Sequence, residues 1–186
     1  MQATGETRFG EGSGLDVAKG AAVMFVAAIV QVTLLSDIDV FHGAPDLVLV
    51  TLVAVALLRG TIFGMAAGFG AGLVVDTATL QTLGVDSLLL TIAGYWIGRY
   101  GETTGRDRTH APFVSVAVVT ILYAVGVLML HFLLGDPVSA RRILVEALVP
   151  TIALNLILTA PVYWIVTKLL PPLDWRERAG EVRLLG

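Results

Sequence analysis

Residues 46–76 read DLVLVTLVAVALLRGTIFGMAAGFGAGLVVD, two apolar runs, Asp46 to Leu58 and Thr61 to Val75, separated only by Arg59-Gly60. Together they are about thirty residues long, too many for a single bilayer crossing of roughly twenty. One long tilted helix would leave Arg59 at membrane depth, at a cost of at least about 2.5 kcal/mol. A tight helical hairpin turning at Arg59-Gly60 instead puts the guanidinium in water, opposite anionic headgroups. The hairpin is therefore the expected structure. Each arm is about fifteen residues, or about 22 Å of helix, so bilayer thinning or burial against neighbouring helices should accompany it.

The rest of the chain follows the same physics. Of 186 residues, 56% are hydrophobic and the mean hydropathy is +0.84, more apolar surface than one soluble core can hide. Residues 1–16 are Gly-rich and polar and are expected to form a flexible cytoplasmic tail. A first helix from about Val17 to Leu35 ends without a small-x-small cleavage pattern and reads as a retained anchor. A fourth helix is expected over Ser87 to Tyr100, with Asp86 or Ser87 as N-cap and Tyr95, Trp96 and Tyr100 as an aromatic belt. A fifth spans Pro112 to Leu134 and a sixth Pro150 to Leu170, where Pro161 predicts a kink. Residues 138–149 suit a short interfacial helix, and 171–186 form a charged cytoplasmic tail. The six-helix domain thus covers residues 17–170.

Counting bases tests the orientation. Arg8, Lys19, Arg59, Arg99, Arg106, Arg108, Lys168, Arg176, Arg178 and Arg183 fall on one side and only Arg141 and Arg142 on the other. Ten against two marks the first side, with both termini, as cytoplasmic. Fusing the hairpin into one span would move the loop arginines outside, so the count supports the hairpin as well. The expected fold class is an all-α integral membrane protein with six transmembrane helices.

The inventory of chemical groups excludes more than it suggests. Without cysteine there are no disulfides or thiolate metal sites. His42, His110 and His131 fall on different faces of the membrane and form no metal cluster. The outer acids lie at helix ends or in loops, no serine has a nucleophile-turn setting, and the glycines do not form a phosphate-cradling loop. No catalytic residue, metal or cofactor is expected, and nothing points to nucleic acid.

What remains are packing features. Gly60, Gly64, Gly68 and Gly72 fall four apart on one side of the third helix and allow another backbone to approach closely, either a neighbouring helix of the chain or a partner's. Asp76, at the end the helix dipole disfavours, needs solvation, a capping role in the next turn, or a functional contact. Pro45 and Asp46 are what a helix start requires. Gln31 and Asn155 are polar at membrane depth and are expected to hydrogen-bond across helix interfaces. Gln31, Thr33, Thr51, Thr91, Tyr123, Asn155 and Thr159 are the candidates for a polar cavity, and along the sequence they scatter over several helices.

Taken together, Gln31, the start Pro45-Asp46-Leu47, and the run Leu58-Arg59-Gly60...Gly64...Gly68-Phe69...Gly72-Leu73...Asp76 with Leu83-Gly84 resemble the rod shape-determining MreD family, over roughly residues 20 to 170. The resemblance implies a non-enzymatic scaffold subunit of the cell-elongation machinery in the bacterial plasma (inner) membrane. Its implied partners are a bitopic MreC-like protein and, through it, the MreB cytoskeleton, a RodA-type glycosyltransferase and a penicillin-binding transpeptidase, so that peptidoglycan synthesis is positioned and cell shape maintained. The family is similar in fold to the substrate-binding S subunits of energy-coupling-factor vitamin transporters, so a small-solute binding subunit is the alternative reading. It implies no catalytic residues.

Overall fold

The computed structural model describes residues 7–35, 43–80, 82–105, 110–135 and 146–170. They form six α-helices: α1 Thr7–Val30, α2 Leu47–Arg59, α3 Thr61–Thr79, α4 Val85–Tyr100, α5 Ala111–Leu134 and α6 Leu148–Leu169. Wide π-type turns, Gln31–Leu35 and Gly101–Gly105, extend α1 and α4. Four segments are long and apolar enough to cross a bilayer: Gly14–Leu35, α3, α5 and α6. Residues 138–145 of the interfacial helix expected over 138–149, with Arg142, and residues 1–6 and 171–186 of the two expected tails lie outside the described residues.

Contacts across the molecule show that successive helices alternate in direction. Asp16, Arg59, Thr61 and Glu102 meet at one end, here the Arg59 end. Gln31, Asp46, Asp76, Asp86 and Asn155 gather toward the other, the Asp46 end. Gly60 makes the reversal between α2 and α3 in a single residue. Its φ of 88° and ψ of −171° are accessible to glycine and not to side-chain-bearing residues, while its N–H still donates to the Ala56 carbonyl at 2.8 Å.

The hairpin arms differ in a way that length alone does not reveal. Every residue of α2 from Val48 to Arg59 is buried. A helix apolar on all sides is stable only where all sides are covered, and here protein rather than lipid covers them. At 13 residues, about 20 Å, α2 does not have to match the bilayer, because its neighbours do. α5 is the converse, with Leu122, Met129 and Phe132 at 60%, 62% and 82% exposure on a lipid-facing surface.

Several boundaries differ from the sequence-based expectation. α1 starts at Thr7 rather than about Val17, so helix continues into the Gly-rich stretch, where Asp16 is tied to Arg59. α3 runs to Thr79, one turn beyond Val75, so Asp76 lies inside the helix and not at its tip. The N-cap of α4 is Gly84, with φ of 97° and no side-chain cap of its own, and not Asp86 or Ser87. The cap comes from Asp76. Pro112 sits in the first turn of α5 and Pro161 inside α6, which removes one backbone donor there.

Candidate functional site

The glycine stripe of α3 lies against α4, and the two helices run antiparallel in near backbone contact. A Cβ at Gly64 would collide with the Gly94 carbonyl, at Gly68 with the Leu90 carbonyl, and at Gly72 with the backbone of Ser87. Gly98 stands in the same way against Gly60 and Thr61. Gly70, off the stripe, has nothing within 4 Å of a built Cβ. The stripe is thus filled along its length by a helix of the same chain. Gly94 and Gly98 were missed in the sequence reading, although their four-residue spacing is the same signal that identified Gly60 to Gly72.

Both ends of this pair are closed by a carboxylate from the opposite helix. At the Asp46 end Asp76, buried at 1% exposure, accepts the backbone N–H groups of Gly84, Asp86 and Ser87 at 2.9, 3.1 and 3.2 Å. A carboxylate at the C-terminal end of α3 is unfavourable to α3 but lies at the positive end of α4. Antiparallel packing resolves the conflict seen in the sequence. At the Arg59 end Glu102, just past α4, accepts the Thr61 N–H at 2.7 Å and its hydroxyl at 2.8 Å. Glu102 was not identified from sequence, and nothing local marks it, since its partner is 41 residues away.

A second polar group forms where α1, α2, α4, α5 and α6 converge. Gln31 donates to the Pro45 carbonyl at 3.1 Å and accepts from the Leu47 N–H at 2.7 Å. Asp46 caps α2 through Leu49 N–H at 2.8 Å, while its own N–H donates to Asn155. Asn155, fully buried, donates in turn to Thr120 at 3.1 Å. The Tyr123 hydroxyl donates to Asp86. These groups line two neighbouring cavities of about 330 and 250 Å³ that share Gln31, Asp46 and Tyr123. Three of the seven polar residues that scatter along the sequence, Gln31, Tyr123 and Asn155, therefore converge in space. Thr33, Thr91 and Thr159 do not join them, because each hydroxyl donates to a carbonyl one turn back in its own helix.

Arg59 ends α2 at the opposite end, and its guanidinium is not in water, as the hairpin reading expects, but buried, because Asp16 of α1 pairs with it, Nη1 donating at 3.0 Å. A further cavity, about 360 Å³ and almost wholly apolar, opens sideways between α4 and α5, between Trp96 and Tyr100 on one wall and Val114 and Val118 on the other. His131 Nδ1 bonds to Val127 O in its own helix. Among the described residues no group of three His, Asp or Glu side chains is placed to hold a metal.

These features define a class: an all-helical, multi-pass membrane protein in which acids and amides join helices to one another. A family model described as rod shape-determining protein MreD matches residues 20–172, and the chain belongs to that family. Its place is accordingly in rod shape determination, and the family is one of shape-determining membrane proteins and not of enzymes. No curated protein and no solved structure matches the chain.

Proposed function

We propose that this protein is a non-enzymatic scaffold subunit of the rod-shape complex in the bacterial plasma membrane, crossing it six times with both termini in the cytoplasm. In this role it joins a bitopic MreC-like protein and, through it, the MreB cytoskeleton, a RodA-type glycosyltransferase and a penicillin-binding transpeptidase. The observation that carries the reading, beside family membership, is how the carboxylates are used. Asp76 and Glu102 cap helices across the α3–α4 seam, and Asp46 caps α2. Groups committed in this way hold a shape and are not free to shuttle protons.

The six-span arrangement is supported by the alternation of helix direction and by the ten-to-two distribution of bases. It is directly testable, because the chain has no cysteine and any introduced thiol is unique. Ser139→Cys should react with an impermeant maleimide in intact spheroplasts, and Thr104→Cys only after permeabilisation. The reverse pattern inverts the orientation, and labelling of both from outside removes a span. The scaffold role is tested by affinity purification from native membranes in mild detergent. A bitopic coiled-coil partner is expected in the eluate.

The alternative, a small-solute binding subunit, is favoured by one specific observation: the polar residues sharing the two cavities near Asp46. A pocket with a few convergent polar groups is the usual form of a small-molecule site. A stably bound small organic ligand, or an ATPase module in the same purification, would replace the scaffold reading with this one.

A further inference from the structure

Arg59 is more than the hairpin's turn residue. Its side chain is 4% exposed, and Nη1 is taken by Asp16. Nε and Nη2 are the only buried side-chain nitrogen or oxygen atoms among the described residues that have no hydrogen-bond partner. The two lie on one edge of the guanidinium plane, where Nε–H and an N–H of Nη2 point in parallel. That edge is the fork that receives two oxygens of one oxyanion. A buried donor left open in this way calls for an explanation, and a bound water or ion that meets it is the usual one. Packing supplies none, since α2 is otherwise an unbroken apolar run from Leu52 to Leu58 that a leucine at 59 would extend.

Asp16 and Lys19 are three apart on α1 and so on neighbouring positions of one face, with Lys19 exposed. Arg59 and Lys19 balance Asp16 and Glu102 at this end, so it is the two open N–H groups of the fork, and not a net charge, that select an oxyanion. We propose that the open edge of Arg59 binds a phosphate oxyanion, held at the α1–α2 seam and supplied by the headgroup of an anionic phospholipid. Assigning the lipid to the cytoplasmic leaflet rests on the orientation proposed above, whereas the oxyanion site itself does not. The Asp16 pair ties the first half of α1 to α2.

The test uses the full chain, delipidated in mild detergent and offered phosphatidylglycerol, phosphatidylcholine or inorganic phosphate, with retained adducts counted by native mass spectrometry. One phosphatidylglycerol should be retained about tenfold more strongly than phosphatidylcholine. Arg59→Lys, which keeps the charge and loses the fork, should reduce that retention about tenfold. A second measurement needs no variant: in the wild type, phosphatidylglycerol should slow hydrogen exchange over residues 52–63 more than in the other helices. Equal retention of the two lipids, undiminished retention by a folded Arg59→Lys, or uniform slowing across all helices would overturn the proposal. Saturable, Arg59-dependent binding of inorganic phosphate without lipid retention would keep the oxyanion site and overturn the headgroup as its source. The orientation can fail independently, in the thiol-labelling experiment, without affecting any of these outcomes.

Discussion

The two ends of the α3–α4 pair solve the same problem with different margins. At each, a helix N-terminus is capped by an acid from the helix running the other way. At the Asp46 end the acid is fully buried and takes three backbone donors, and beside it Gln31 bonds the backbone of Pro45 and Leu47 while Asp46 is linked through Asn155 to Thr120. At the Arg59 end Glu102 is half-buried and closes only on Thr61, while two guanidinium nitrogens nearby remain open. One end is built to be rigid, and the other retains unmet hydrogen-bonding capacity. Unmet capacity is where a partner or lipid can add binding energy without first displacing an internal bond.

The comparison depends on the seam that joins the ends, and breaking that seam should have the largest effect. Gly68→Leu drives a side chain into the Leu90 carbonyl, which belongs to backbone and cannot rotate away. A loss of about 4 kcal/mol or more is expected, enough to unfold a marginal protein. The readout is the helical signal on heating in detergent, together with accumulation in the membrane. Gly70→Leu is the control: with open space around it, its thermal midpoint should stay near the parental value. If Gly68→Leu accumulates, melts normally and still co-purifies with its partners, the seam does not hold the pair together.

Next in size is the rigid cap. Asp76→Ala leaves the N–H groups of Gly84, Asp86 and Ser87 without their acceptor. At about 1–3 kcal/mol for each buried donor left unmet, with water partly replacing the carboxylate, a net loss of roughly 3–5 kcal/mol is expected. Asp76→Asn keeps one acceptor oxygen and should recover about half of it. A midpoint for Asp76→Ala within a degree or two of the parent would mean that the Asp46 end is no stiffer than the other. Asn155→Ala tests the neighbouring chain, removing the acceptor of Asp46 N–H and the donor to Thr120, for about 1–3 kcal/mol.

How far these features can be read in the sequence follows the range of the interactions behind them. The hairpin was legible because Arg59-Gly60 interrupts an apolar run and because charge asymmetry restricts topology, both local or additive signals. The Gly60-to-Gly72 stripe was legible as a packing face from its period, but the helix that fills it depends on which neighbour comes close, and the matching Gly94 and Gly98 went unread. Asp76 posed a real conflict in the sequence, an acid at the wrong end of a dipole. Its resolution needed α3 to run on to Thr79 and α4 to begin at its side. The polar residues scattered over α1, α5 and α6 meet only because three helices cross there, a consequence of tertiary packing that no periodicity encodes. Glu102 is the extreme case, an acid in a hydrophilic loop whose role is fixed wholly by contact with the start of α3.

Glu102 also gives the smallest and sharpest test of the two-ended comparison. Glu102→Gln leaves an oxygen to accept the Thr61 N–H and keeps the side chain's length, so what is lost is mainly the negative charge at the N-terminus of α3. A charge placed there and partly open to solvent is worth about 0.3–1 kcal/mol and is screened by salt. The midpoint should therefore fall by a few degrees at most at low ionic strength, and the difference from the parent should shrink at about 1 M salt. Asp76→Asn, buried and shielded, should keep its larger deficit at both salt concentrations. Matching salt responses would mean that the two caps share one environment, and the contrast between a closed end and an open one would have to be abandoned. A salt-sensitive Glu102 beside a salt-insensitive Asp76 would instead locate the solvent-accessible, and so the recruitable, end of the bundle at the Arg59 turn.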